Sequence, residues 1–415
     1  MSAPDQALLA DLAERYDPFR DPLLADPYPF FAEAQRATPA FFSPQLNYWV
    51  ITRYADVREA LKNTQDFSAA NTLETLKPLC PHARAVLIEG KVQPPAALTN
   101  NDPPSHTRVR RVANGAFTPR RVAVMEDFIR TTTRTFLDER FRDGSADLIA
   151  DLAWELPAQV IFRVIGLSND EVRRIKAAAQ NRLLFNWGLP SDAEQVALAE
   201  DTVDLWHFIQ GFVADRARSP RDDFTSDLLA ARDEGSPGLS EPEVCSVLLA
   251  LLVAGHETTT SLIGNAVRWL LADPRDWAAI AADHALLPDA IEEVLRLEPS
   301  IHTWRRRTRH AVTFAGQELP AGANLLLLIG AANRDPSVFA EPDRFDIRRS
   351  NAREHMAFGY GSHICLGAPL ARLEARVVLE ELSHRYPRLR LAGDQPMRVL
   401  PTVSFRGPLE LQVTW

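Results

Sequence analysis

From residue 105 to about residue 297, apolar side chains recur at helical spacing. The pattern breaks at Gly144, at Gly166, at residues 188–190, in the turn 219–223 and at residues 235–238. Strand character is confined to the two ends of this helical stretch. Residues 47–52 (Asn-Tyr-Trp-Val-Ile-Thr) predict a strand and residues 55–62 a short helix; strand character returns at 311–314 and 324–328, joined by a turn holding Pro320 and Gly322. The first 40 or so residues read as a proline-punctuated meander. Residues 71–101 contain several prolines and little sustained period, which predicts a long loop, and long loops in compact domains are usually functional. The expectation is one domain over residues 1–415, mainly α with a smaller β region (α+β) assembled from distant segments.

One helix dominates this pattern, over residues 241–272. Ser240 and Glu243 make a capping box, and Pro242 sits in the first turn, where its missing N–H costs nothing. At 1.5 Å per residue the helix is about 45–50 Å long, enough to cross a domain. Its first half is apolar on nearly every side, which predicts burial. Then comes Ala254-Gly255-His256-Glu257-Thr258-Thr259. A charged residue and two hydroxyls in a buried helix are costly unless partnered, and glycine is a poor helix former. Taken alone, the hexapeptide also fits a polar stripe reaching a solvent edge. A further helix is predicted over residues 366–386, with Pro369 in its first turn.

The net charge of −9, from 46 basic and 55 acidic residues, argues against nucleic acid and anionic membrane as main partners. Cysteine occurs at Cys80, Cys245 and Cys365, far apart and odd in number. No disulfide framework is expected, a reducing compartment fits, and an iron–sulfur site of four thiolates is excluded. Cys80 near His82 lacks the second pair a metal site would need, and Cys245 reads as a small apolar group on a helix. The N-terminus has no charged-then-apolar signal layout. The longest apolar stretch, 247–254, is far short of the roughly 20 residues that span a bilayer. A soluble, cytoplasmic monomer is expected.

The chemistry concentrates in Phe358-Gly-Tyr-Gly361-Ser-His363-Ile-Cys365-Leu-Gly367. Gly359, Gly361 and Gly367 allow positive φ and close backbone approach to a flat ligand. Cys365 sits at the mouth of a predicted helix, where free N–H groups and the dipole favour a thiolate over a thiol. Such a loop can present one thiolate to an iron; a buried cysteine in a glycine-rich turn is the blander alternative. The Phe, Gly, His, Cys and Gly positions of this loop resemble the one that holds the axial cysteine of the cytochrome P-450 family.

That resemblance implies a haem b (iron protoporphyrin IX) between the long central helix and the cysteine loop. Cys365 would be the metal ligand, Phe358 would shield the sulfur, His363 would reach a propionate, and Gly367 would belong to the cofactor contacts. The hexapeptide resembles the family's oxygen-binding kink, where Thr258 would hydrogen-bond O2 or its water and Glu257 would help deliver protons. Ala254 and Gly255 would leave room for O2. Glu293 and Arg296 resemble a buried Glu-x-x-Arg pair that braces the core, although Glu292 also lies within reach of Arg296. Asp102-Pro-Pro-Ser-His106-Thr-Arg-Val-Arg110 resembles a propionate-binding segment, as does Trp304-Arg-Arg306-Arg-Thr308. Arg306 is the matching position, with Arg305 and Arg307 as neighbours. Asn333-Arg-Asp-Pro336 and the segment from Phe339 to Asp346 follow the family pattern too.

The activity so implied is a haem-thiolate monooxygenase acting with O2 on a small apolar substrate, aromatic ones included. Loop 71–98, the 185–190 region, Ala250, Val253, Ala254, His302, Thr303 and Val403 would surround that substrate. Residues 303–306 and 404–408 look like haem domains of self-sufficient bacterial fusions and their stand-alone relatives. No Gly-x-Gly-x-x-Gly and no cluster cysteines occur, so electrons are expected from a separate ferredoxin or flavodoxin-type donor with its reductase, or the chain is an isolated haem domain. That donor would dock on the cysteine side near Arg108, Arg110, Arg111, Arg372 and Arg376. The rivals are a haem-binding sensor or electron carrier, and a relative with altered chemistry such as aromatic coupling, nitration or peroxide-driven oxidation.

Overall fold

The computed structural model describes residues 3–168, 170, 172–231 and 238–415, with the side chains of residues 3–6 and 116 left aside. Of the predicted break at 235–238, only Gly238 falls within the described residues. The helix Glu241–Ala272 runs through the fold without a break. Its capping box forms as predicted: the Ser240 N–H donates to Glu243 Oε2 at 2.9 Å, and the Glu243 N–H donates to Ser240 Oγ at 3.4 Å. Helices Leu156–Ile165, Val172–Trp187, Asp192–Arg218 and Ala368–Arg385 pack around it. Among the described residues this is the one helix long and apolar enough to cross a membrane, and most of it is buried inside the protein. At Thr258 the side-chain hydroxyl donates back to the Ala254 carbonyl at 2.8 Å, and the helix continues through the stretch where a kink was expected.

The largest sheet has five strands in the order Ala40–Ser43, Tyr48–Ile51, Asn324–Leu327, Trp304–Thr308, Phe67–Ser68. The pairing of Tyr48–Ile51 with Asn324–Leu327 is parallel and the others are antiparallel. Distant segments therefore build the β region, as the pattern predicted. One detail differs: Val312–Phe314 pairs with Gln317–Leu319 rather than with the strand near residue 324. Ala315 and Gly316, both at positive φ, close that hairpin in two residues, and Trp304–Thr308 takes the place beside Asn324–Leu327.

Two segments read as irregular contain helices. The N-terminal meander folds into Ala3–Arg15 and Tyr28–Ala37, and the loop 71–101 contains Pro81–Glu89. The prolines misled because Pro29 and Pro81 stand in first turns, where proline starts a helix rather than ending one. Cys80 caps the second of these, its Sγ accepting the Ala83 N–H at 3.4 Å.

Helix Leu287–Leu297 carries the Glu-x-x-Arg pair. Arg296 donates twice to Glu293, at 2.7 and 2.9 Å, and both side chains are 0% exposed. Arg296 also donates to the carbonyls of Asn333, Pro342 and Arg344, and Glu293 accepts from the Asp346 N–H and from Arg349. Glu292, the competing partner, turns instead to Arg372 and His355. Removing one member of a buried pair strands the other charge. Arg296→Met is expected to cost about 3–5 kcal/mol in urea denaturation, and a loss below about 1 kcal/mol would show that the pair does not brace the fold.

Candidate active site

The cysteine loop is closed by the Cys365 N–H, which donates to the Phe358 carbonyl at 2.8 Å. Gly359 and Gly361 hold φ of +73° and +72°, and a Cβ on Gly361 would come within 3.0 Å of Lys62 Cα, so glycine is required there. Gly367 is different: its φ is −79°, so its value lies in beginning helix Ala368–Arg385 and not in a left-handed turn. Burial pushes the Cys365 thiol up, while the N–H groups of Gly367 and Ala368 and the Arg110 and Arg372 guanidiniums pull it down. The two N–H groups by hydrogen bonding and the two guanidiniums by charge would steady a metal-bound thiolate. Cys365 is surrounded by protein and yet has open surface. Ala254 is likewise exposed within a buried helix, and Thr258 is half-buried. Open surface at interior positions marks the walls of an internal cavity. Phe358 lies half-buried with the Arg372 guanidinium 4.5 Å from its ring centre.

Beside the loop lies a cluster of basic groups with nitrogens unpartnered among the described residues. His106 and His363 stack at 4.0 Å between ring centres. Both ring nitrogens of His106, Nε2 of His363 and Nη2 of Arg306 are buried with no hydrogen-bond partner. Arg110 donates to the Ile364 carbonyl. Asp102, the nearest acid, is taken by Arg309 at 2.7 Å and by Ser68 and the Ala69 N–H. Burial, with Arg110 adding to it, holds His106 down at about 4. Burial, with Arg306, His106 and Arg110 adding, holds His363 down at about 2, and burial brings Arg306 to about 10. Three basic side chains with unpartnered buried nitrogens, and Arg110 beside them, fit a flat group bearing two carboxylates, as haem does. Arg305 and Arg307 leave this cluster: Arg305 donates to the Thr72 and Glu74 carbonyls, and Arg307 pairs with Glu74 at 2.6 Å.

On the central helix, Glu257 is not free. Lys176, 0% exposed, places Nζ 3.1 Å from its Oε1 and 4.6 Å from the centre of the Trp154 ring, and His256 Nε2 lies 3.6 Å from the same oxygen. Burial pulls the Lys176 amine down, and Glu257 opposes it. Sequence reasoning missed Lys176. The available signal was its phase, since it shares an inward helix face with Ala179 and Leu183. Gly255 does not open space for O2, because a Cβ there would meet Ile161 Cγ1 at 2.8 Å; its side of the helix is filled by packing.

The expected substrate contacts divide. Ala254 is open and Ala250 half-buried, whereas Val253 is buried and Thr303 and Val403 have 0% exposure, leaving those two no surface on a cavity. Thr303 Oγ1 donates to the Val403 carbonyl at 2.6 Å, and His302 turns its ring toward Phe31, 6.1 Å away. Thr303 and Val403 are thus bonded to each other within the packed interior, and His302 packs on helix Tyr28–Ala37 through Phe31. Among the arginines considered for docking, Arg108 pairs with Glu243, Arg372 with Glu292, and Arg376 with Glu126 and Glu380.

Residues 39–408 match the family model described as Cytochrome P450. The vitamin D(3) 25-hydroxylase of Pseudonocardia autotrophica is 34% identical over 412 residues, covering 98% of each protein. The structure of cytochrome P450 CREJ in complex with (4-ethylphenyl) dihydrogen phosphate superimposes with a TM-score of 0.93 at 36% identity, over 97% of this chain and all of the other. The CYP116B5 heme domain of Acinetobacter radioresistens gives 0.95 at 33% identity, over 99% of both chains.

His302 supplies a pH test remote from the cysteine. Burial, with Arg406 adding to it, holds it down at about 3, against roughly 6.5 in an unfolded chain. Its contribution to stability is complete above about pH 6.5 and is lost as pH falls toward 3, because there the unfolded state takes up the proton the fold refuses. His302→Leu is expected to remove roughly 3 kcal/mol from the loss between pH 7 and pH 4, read from urea midpoints. Parallel declines in the two proteins would show that His302 titrates normally.

Proposed function

The chain belongs to the cytochrome P450 family, and from that premise we propose a haem-thiolate monooxygenase that inserts one atom of O2 into a small apolar organic substrate. Hydroxylation is the outcome, or dealkylation where the hydroxylated carbon bears an ether oxygen. The observation that carries this reading is the cluster of His106, Arg110, Arg306 and His363 beside the accessible Cys365 thiol, in which His106, Arg306 and His363 hold buried nitrogens unpartnered among the described residues. Haem b is the proposed cofactor, with Cys365 on its iron and the four basic side chains on its propionates. When bound, it supplies the redox chemistry that activates O2.

The chain's own residues supply position and protons. Thr258 turns its hydroxyl within the half-open stretch of the central helix, where it can release the Ala254 carbonyl and bond to oxygen in the cavity. Glu257 holds a carboxylate at the same level, tied to Lys176, and is the proposed proton carrier. Ala254 keeps the wall low between them. The ring of Phe358, stacked on Arg372, covers the thiolate side. CREJ's ligand and the vitamin D(3) hydroxylase's name support an apolar or aromatic body for the substrate.

One domain spanning residues 1–415 is proposed, working as a soluble cytoplasmic monomer. A separate ferredoxin or flavodoxin-type protein with its reductase would deliver electrons to the cysteine side. Because Arg108, Arg372 and Arg376 already hold acids, a donor there would meet paired charges instead of a bare basic patch.

The ferric optical spectrum tests the ligand: a thiolate-type Soret band is expected, absent from Cys365→Ala. Thr258→Ala and Glu257→Gln are each expected to lower product formation on the order of a hundredfold, with reductant consumption shifted to peroxide. Undiminished product in both variants would favour another oxygen pathway.

A further inference from the structure

Helix Val172–Trp187 crosses above the central helix and presents three different sides. Lys176, Ala179 and Leu183 are buried, with Lys176 reaching Glu257, while Arg173, Arg174 and Ala177 are exposed. Arg182 belongs to neither side. At helical spacing it aligns with buried Ile175 and with Asn186, one turn on, whose amide donates to the Leu73 carbonyl in the segment proposed to cover the substrate. Protein surrounds the Arg182 guanidinium, and the side chain still has open surface, the combination seen at Cys365.

Arg182 has almost nothing to bind. Among the described residues its one hydrogen bond runs to Thr202 Oγ1 at 3.4 Å, and that hydroxyl gives its own proton to the Leu198 carbonyl at 2.8 Å. No carboxylate pairs with it; Asp201, beside Thr202, accepts from Asn181 at 2.6 Å. Burial brings its guanidinium down to about 10 with no charge opposing the shift. Other interior arginines are satisfied: Arg216 has Asp223, Arg296 has Glu293, Arg406 has Glu298, and Arg305 has backbone carbonyls. Arg306 alone of these resembles Arg182, and Arg306 faces the place assigned to the propionates. A desolvated guanidinium is costly unless an anion meets it, and its planar fork suits an oxoanion in two-point contact.

Resting on the monooxygenase reading, we propose that Arg182 anchors an oxoanionic group of the substrate, a phosphate monoester or a carboxylate, so that the distance from that charge selects the carbon that is oxidised. Arg182 lies six residues beyond Lys176, about 9 Å along the helix from the contact with Glu257. An aromatic ring together with its linking atoms, or an extended chain of similar length, is of that order. The substrate is then amphiphilic, an apolar body with a charged end held far from the reacting carbon.

Titration of the holoenzyme with 4-ethylphenol, 4-ethylphenyl phosphate, 4-ethylbenzoate and inorganic phosphate decides the matter, followed both by the haem spectrum and by calorimetry. At least one aryl anion is expected to bind tenfold or more tightly than the phenol. Arg182→Gln should reduce that advantage below twofold and leave the phenol unchanged, and Arg182→Lys should restore part of it. Equal binding of phenol and both anions by the wild-type protein overturns the proposal, and so does an advantage that survives in Arg182→Gln. Inorganic phosphate binding as tightly as the aryl anions also overturns it, since that marks a site for a free ion. Should Arg182→Gln not fold, Arg182→Lys and Thr202→Val carry the comparison, and an undiminished preference in both overturns it. A protein with no thiolate-type spectrum would sink the monooxygenase reading, while the calorimetric comparison would still decide Arg182.

Discussion

A buried guanidinium holds the proximal half of this molecule in register. Arg296 gathers the carbonyls of Asn333, Pro342 and Arg344 around one charge, and Glu293 balances it while accepting from Asp346 and Arg349. Irregular chain in an interior must find partners for its backbone polar groups, and this pair supplies several at once. The order passes onward to the active site: Asn333, tied to Arg296 through its carbonyl, accepts the Met356 N–H at its side-chain oxygen, two residues before Phe358. Phe358 in turn accepts the Cys365 N–H. The position of the sulfur is thus fixed by a chain of bonds that starts at an ion pair with no contact to it.

The cavity side is governed by charges left without partners. In the cluster of His106, Arg110, Arg306 and His363, buried nitrogens of His106, Arg306 and His363 have no partner among the described residues. Glu257 and Lys176 satisfy each other in the interior, which keeps a carboxylate near the cavity without a net buried charge. Small residues there do different work. Ala254 lines the open wall, and Gly255, next to it, lets Ile161 of a neighbouring helix come close.

Much of this was legible in the chain. The central helix, its capping box, the cysteine loop and the Glu293–Arg296 spacing depend on local sequence, where period and cap chemistry act over a few residues. The choice of Arg306 over Arg305 and Arg307 was less secure, because a strand's alternation had to be phased against partners far away. Lys176 stayed invisible for the same reason: nothing near residue 176 announces that its amine meets residue 257. His302, Thr303 and Val403 were placed by analogy on a cavity; Thr303 and Val403 have no exposed surface, and His302 packs against Phe31. Helices opened by proline were missed because the same residue starts a helix at one position and ends it at another.

The five-stranded sheet sets an order of events during biosynthesis. Strand Tyr48–Ile51 pairs in parallel with Asn324–Leu327, made only after most of the chain has left the ribosome. At typical rates of about 5–20 residues per second, the early strand pair waits for some tens of seconds with an apolar edge unpaired. Trp304–Thr308, which carries Arg306, pairs with that same late strand and reaches its place no sooner. The basic cluster is therefore incomplete until the chain has been made beyond Asn324–Leu327 and His363, and a shorter nascent chain lacks the groups proposed to hold the prosthetic group.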